Sequence, residues 1–327
     1  MASASIAYTC DATIDATQAG TCAYLNGTVA NLYNSTFSNA DASIYIQMGI
    51  TGLGSSTTGF LNLEPYSTYT TALAGTASHD AVDTAAAANL SGTEPAIYSG
   101  GDIELTSALC TAVGIAGCTG TTSGGVACTI GTSGCYNGII TITTPANLTS
   151  EQPGQSLYWD QTGLPQTSDS YDFYSVVEHE TDEVLGTSSC IGTPTALSDN
   201  CGGTNASAVD LFRYQGPGSL VFISTTPGAY FSYDGGATNG ADGAAYNTLA
   251  NGDDYADFAT NCAHVQDATG CLGSALNITS DGNSEINILD AIGYNLNTVP
   301  NVPEPATWLL FGTGLAAIAA YRRKRSA

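Results

Sequence analysis

Hydrophobic residues recur along this chain with two different periods, and the switches between them mark out its elements. The clearest helical spacing runs from Tyr171 to Gly186, YDFYSVVEHETDEVLG, where Phe173, Val176, Val177, Val184 and Leu185 share a side and Gly186 supplies a stop. A second run, Ser284 to Leu296, turns Ile286, Leu289, Ile292 and Gly293 inward. A third, Ala19 to Phe37, gathers Tyr24, Leu25, Val29, Leu32 and Tyr33. SHDAVDTAAAANL is helix-capable, with His79 read as a surface or capping residue, and Asp102 to Gly114 reads as a short helix closed by glycine.

The strand signals are fewer. SIYIQMGI, Ser43 to Ile50, alternates with a period of two, whereas GIITITT, Gly138 to Thr144, is β-branched on both faces and is expected inside a sheet. SLVFIS and AYFSY, Ser219 to Ser224 and Ala229 to Tyr233, read as a strand pair. Thr119 to Asn137 and Thr187 to Ser207 are loops, and Asn147 to Gln166 is an irregular approach containing Trp159 and Asp160. Interspersed helices and strands over residues 1–298 imply an α+β domain, and residues 299–327 have a different character.

Charge changes the picture. The net charge is -24, and four of the five basic residues, Arg322, Arg323, Lys324 and Arg325, crowd the end of the chain. With Arg213 alone in the body, no basic patch can neutralise phosphates, so nucleic acid is excluded and cations are the favoured small partners. Arg213 itself is expected in a buried ion pair or orienting a carboxylate.

The ten cysteines fall as neighbours: Cys10 and Cys22, Cys110 and Cys118, Cys128 and Cys135, Cys190 and Cys201, Cys262 and Cys271. With no CxxC to favour a zinc cluster, they read as local disulfides formed in an oxidising compartment. The start, MASASIAYTC, has neither a basic n-region nor an apolar h-region, so the export that the rest implies points to a true N-terminus upstream.

Candidate chemistry concentrates on the first helix. His179 and Glu183, four apart, project from one face one turn above the other, close enough to share a cation, and Glu180 lies beside them. An acidic solvated face made by Glu178, Glu180, Asp182 and Glu183 is the alternative. The run H179-E180-x-x-E183-x-x-G186 resembles the zincin metallopeptidases, and most closely the metzincin pattern HExxHxxGxxH, with Glu in place of the second His and Ser189 at the third ligand position. DLFRY, AYFSYDGG and SEINILDAIGYNL are similar to segments that accompany the zinc helix in bacterial surface metallopeptidases. The resemblance implies a mixed twisted sheet packed on an active-site helix, Zn2+ held by His179 and Glu183, Glu180 as general base, and a protein or peptide substrate. For the third ligand the expectation is Asp210, which follows the stapled loop returning the chain towards the helix, with His264 as second choice. The alternative function is a non-catalytic surface or matrix protein keeping a degenerate zincin fold. Acidic turns, DGGATNGADG, NGDDYAD and SDGNSE, could offer oxygen ligands to Ca2+, although none matches an EF-hand loop.

The C-terminus, VPEPATWLLFGTGLAAIAAYRRKR, joins a Pro303-Glu304-Pro305 break, an apolar run over 306–321 and a basic cluster opening with Arg322 and Arg323. It resembles the PEP-CTERM sorting signal of Gram-negative bacteria. That resemblance implies an exosortase partner, transient anchoring in the inner membrane, cleavage near Pro303 to Pro305, and delivery to the cell surface or extracellular matrix. The basic cluster would stay cytoplasmic.

Overall fold

The computed structural model describes residues 5–58, 62–77, 80–92, 94–95, 102–159, 166–191, 201, 205–248 and 254–297. The chain divides into two compact units at Leu296, and the fold below is that of the first, Met1–Leu296. His79, Asp160 and the tail from residue 298 onward lie outside the described residues.

The architecture is α+β with several sheets. The main sheet has four strands in the order Ile6–Cys10, Ala42–Gly49, Gly138–Thr143, Gly54–Thr57; the first three run parallel and the last lies antiparallel at the edge. Ala42–Gly49 alternates buried and half-buried positions, while Gly138–Thr143 is buried at all but one position, as expected of an inner strand covered on both faces. A smaller sheet pairs Asp102–Leu105 with Asn62–Pro65 and Ala206–Ser207.

The helical run expected over Ala19 to Phe37 forms in three parts: Thr21–Tyr24, a π turn at Leu25–Val29, and Ala30–Thr36. Its buried Tyr33 reaches the His179 helix, donating to Asp182 Oδ1 at 2.9 Å and to the Glu178 carbonyl at 3.1 Å. Tyr8 of the main sheet meets Thr181 Oγ1 at 2.9 Å. The helix is therefore fixed to its supports by buried hydrogen bonds as well as by apolar packing.

Three expectations are corrected. Asp102–Leu105 is a strand, and the helix begins only at Ser107, because Thr106 accepts the Leu109 N–H at 3.2 Å and caps it there. Ser219 to Ser224 does not pair with the following strand. Tyr230–Phe231 instead pairs with Arg213–Tyr214, while the Ser224 carbonyl turns to Arg213 at 3.4 Å. Residues 119–137, read as a loop, contain a hairpin of Thr119–Thr121 with Ala127–Thr129.

Five disulfides join the neighbouring cysteines as expected, Cys10–Cys22, Cys110–Cys118, Cys128–Cys135, Cys190–Cys201 and Cys262–Cys271, so no thiol is left for a zinc cluster.

Candidate metal centre

The helix carrying His179 spans Phe173–Asp182. Asp172 caps it by accepting the Ser175 N–H at 2.7 Å, and Phe173 anchors its first turn by stacking on Trp159 with ring centroids 4.0 Å apart. Beyond Asp182 the helix widens into a π turn, Glu183–Thr187, while Glu183 itself keeps helical backbone angles and its N–H still reaches the His179 carbonyl. Gly186 ends it at φ 130°, where a Cβ would lie 3.2 Å from Ile292 and 3.3 Å from Leu109. The glycine of the motif is thus required by backbone conformation and by packing.

His179, Glu183 and Asp257 converge. The Nε2 atom of His179 is 3.8 Å from Glu183 Oε1 and 3.8 Å from Asp257 Oδ1. On its other side, His179 Nδ1 lies 3.0 Å from the Val265 carbonyl, which can only accept. Nδ1 therefore carries a proton, which makes Nε2 the nitrogen that can offer a lone pair to a cation. Ser56 donates to Glu183 Oε2 at 2.6 Å, the oxygen turned away from His179, and Gln266 Nε2 donates at 2.9 Å to Asp257 Oδ1, the oxygen that faces His179.

These groups open on a cleft of about 610 Å³ lined by His179, Glu180, Glu183, Asp254, Asp257 and His264. Glu180 is buried, and its Oε2 has no hydrogen-bond partner. Burial first, then the charges of Glu183 and Asp257, hold its carboxyl well above the usual range. Asp254 is raised for the same reasons, burial first and then Asp257 and Glu183. Gly54 on the edge strand passes so close that a Cβ there would overlap Glu180 Oε1 and come within 2.7 Å of Val176. This strand and the helix therefore enclose Glu180 between them.

A divalent ion fits the donor set. Tetrahedral zinc with bonds of about 2.0–2.1 Å spaces its donors roughly 3.4 Å apart, so donors now 3.8 Å apart need only a small contraction. Among the described residues no Lys or Arg forms an ion pair with these carboxylates; only His179 approaches them.

The structure places the other expected residues elsewhere. Asp210 is a structural carboxylate, not a member of this group: buried, it accepts from Ser189 Oγ at 2.5 Å, Cys190 N at 2.9 Å, and Ser207 N and Oγ at 2.9 Å each. Those bonds consume both oxygens and close the stapled loop. Ser189, at the metzincin third-ligand position, gives its N–H to Asp254 instead, at 2.9 and 3.1 Å. His264 faces the cleft but groups with Asp281 and Glu285 rather than with His179. Arg213 is buried as expected, yet among the described residues it makes no ion pair; it donates to the Tyr255 carbonyl at 2.6 Å and lies over the Tyr246 ring at 4.4 Å. Sequence reasoning missed Asp257 and Asp254, although both sit in NGDDYAD, a run noted only for its oxygen ligands.

A separate acidic group, Asp80, Asp83 and Asp290, joins the helices Ala81–Leu90 and Ser284–Ile292. Burial, then Asp83 and Asp80, push the Asp290 carboxyl from the ordinary 3.8 up to about 9. A carboxyl raised on folding binds its proton more tightly in the folded state, so its contribution to stability is lost as pH rises from about 4 through about 9. Asp290→Asn should therefore gain stability relative to the wild type as pH rises from 5 to 9, read from urea midpoints; a pH-independent difference would contradict the assignment.

Residues 301–325 match the PEP-CTERM protein-sorting motif. The C-terminus therefore carries an export and sorting signal. The motif is a signal recognised by exosortase and marks export and sorting to the cell surface. Neither curated proteins nor solved structures match the chain. Among the described residues no helix is long and apolar enough to cross a membrane; the apolar run over 306–321 lies outside them.

Proposed function

We propose that the exported body is a metal-dependent hydrolase of the zincin kind that cleaves peptide bonds, with His179, Glu183 and Asp257 as ligands. The observation that carries this reading is the convergence of His179 Nε2, Glu183 Oε1 and Asp257 Oδ1 beside an open cleft, with the imidazole tautomer set by Val265. An ion bound there supplies Lewis acidity that polarises a carbonyl and acidifies water.

The chain's own residues account for the rest of the chemistry. Glu180, enclosed by Gly54 and Val176, takes the proton of the attacking water and returns it to the leaving amine nitrogen. Burial and the charge of Glu183 raise its affinity for protons, which favours its holding the proton between the two transfers. Gly54–Thr57, the edge strand of the main sheet, lines the same cleft, so an extended peptide could add to it by backbone pairing. The sorting tail would hold the precursor in the inner membrane of a Gram-negative cell through residues 306–321 until cleavage near Pro303 to Pro305.

Purified protein should carry zinc in a site lost in His179→Ala, as read by elemental analysis, and should hydrolyse an unfolded protein or peptide library between pH 4 and 9. Zinc content unchanged by His179→Ala would refute the ligand assignment. The donor set itself favours a second reading: two carboxylates neutralise the ion and weaken its acidifying power, as suits a non-catalytic surface or matrix protein that keeps a metal for stability. Metal bound without any hydrolysis selects that reading.

A further inference from the structure

We propose that His264, Asp281 and Glu285 form a second divalent-metal site, distinct from the His179 group, which takes a zinc-like ion and ties a loop to the C-terminal helix. One ligand atom from each of the three lies within 4.8 Å of the others, and all three residues are buried. Each carboxylate spends one oxygen on the backbone. Asp281 Oδ2 accepts the Val265 N–H at 3.3 Å and Glu285 Oε1 accepts the Gln266 N–H at 3.0 Å. The second oxygens, Asp281 Oδ1 and Glu285 Oε2, are buried without any hydrogen-bond partner. Ser284 Oγ, 2.9 Å from His264 Nδ1, holds the ring beside them.

Two buried carboxylates that each leave an oxygen unsatisfied are costly unless a cation or a proton compensates them. No side-chain cation does so among the described residues: the one basic residue of the body, Arg213, is committed to the Tyr255 and Ser224 carbonyls and the Tyr246 ring. One imidazole nitrogen with two carboxylate oxygens is a donor set for borderline divalent ions such as zinc rather than for calcium, which takes oxygen alone. The backbone supports this assignment. Asn283 adopts φ 62° next to Gly282 at φ 86°, a left-handed pair that folds SDGNSE back so that Asp281 and Glu285 meet the same loop.

That loop also serves the first site. Val265, whose N–H meets Asp281, presents its carbonyl to His179, and Gln266, whose N–H meets Glu285, holds Asp257 through its side chain. An ion at the second site would therefore fix the residues that orient two ligands of the first.

The test is zinc content and position in the full-length protein, stripped with chelator and reloaded with zinc alone. Glu285→Gln, which keeps the side chain's shape and its bond to Gln266 N, should hold one equivalent less than the wild type, as should His264→Ala; His179→Ala should still keep the zinc of this site. If the His179 site proves empty, the wild type should hold one equivalent that survives His179→Ala and is lost in Glu285→Gln, so the two assignments fail separately. Anomalous diffraction at the zinc edge from wild-type crystals should show a peak among His264, Asp281 and Glu285 whether or not the variants fold. Unchanged zinc content in both variants, or no peak there, would overturn the proposal and leave a shared proton as the compensating charge.

Discussion

Glu180→Gln should keep its metal and lose peptide hydrolysis by about 10²- to 10⁴-fold, the usual contribution of a well-placed general base. Gln retains the shape that Gly54 and Val176 enclose but cannot take a proton, so the change removes basicity with little change in packing. Because the base must be ionised to act, wild-type hydrolysis should also fall as pH drops and Glu180 gains its proton, whose affinity burial, Glu183 and Asp257 already raise. The measurement is kcat against pH, with metal content determined on the same samples. A Gln variant as active as wild type would remove Glu180 from the mechanism. Loss of metal together with activity would make it a positioning residue.

Phe173→Ala should cost about 3–5 kcal/mol, a large share of the roughly 5–15 kcal/mol that holds a typical domain folded. The ring is fully buried, stacked on Trp159 at 4.0 Å and met edge-on by Tyr174 at 5.2 Å. Truncation opens a cavity under the first turn of the helix that carries His179, where two neighbouring aromatic rings limit collapse. The urea midpoint should fall steeply with the slope of the transition unchanged. A loss below about 1 kcal/mol would show that Trp159 moves into the space, since sites that collapse lose least.

Much of the scaffold was legible because its causes are local. The five disulfides join cysteines 7 to 12 residues apart, so proximity in the chain sufficed to pair them. The helix Ser284–Ile292 and the strand Gly138–Thr143 followed from periodicity and β-branching, and the sorting motif from the order of its Pro-Glu-Pro, apolar and basic parts. His179, Glu180 and Glu183 came from one helix, whose turn sets their spacing.

Residues brought together by distant parts of the chain were not legible. Asp102–Leu105 was read as helix because its ladder partners, Asn62–Pro65 and Ala206–Ser207, are remote in sequence. The sequence ranks Asp210 first because it follows the stapled loop, and nothing local singles out Asp257 in its acidic turn. The fold does: four hydrogen bonds consume Asp210 in closing a loop, whereas Gln266 holds Asp257 toward His179. The sequence alone determined which helix could offer a cation its first donors; only the tertiary structure decided which carboxylate completes the group, because that depends on where a returning loop meets the helix.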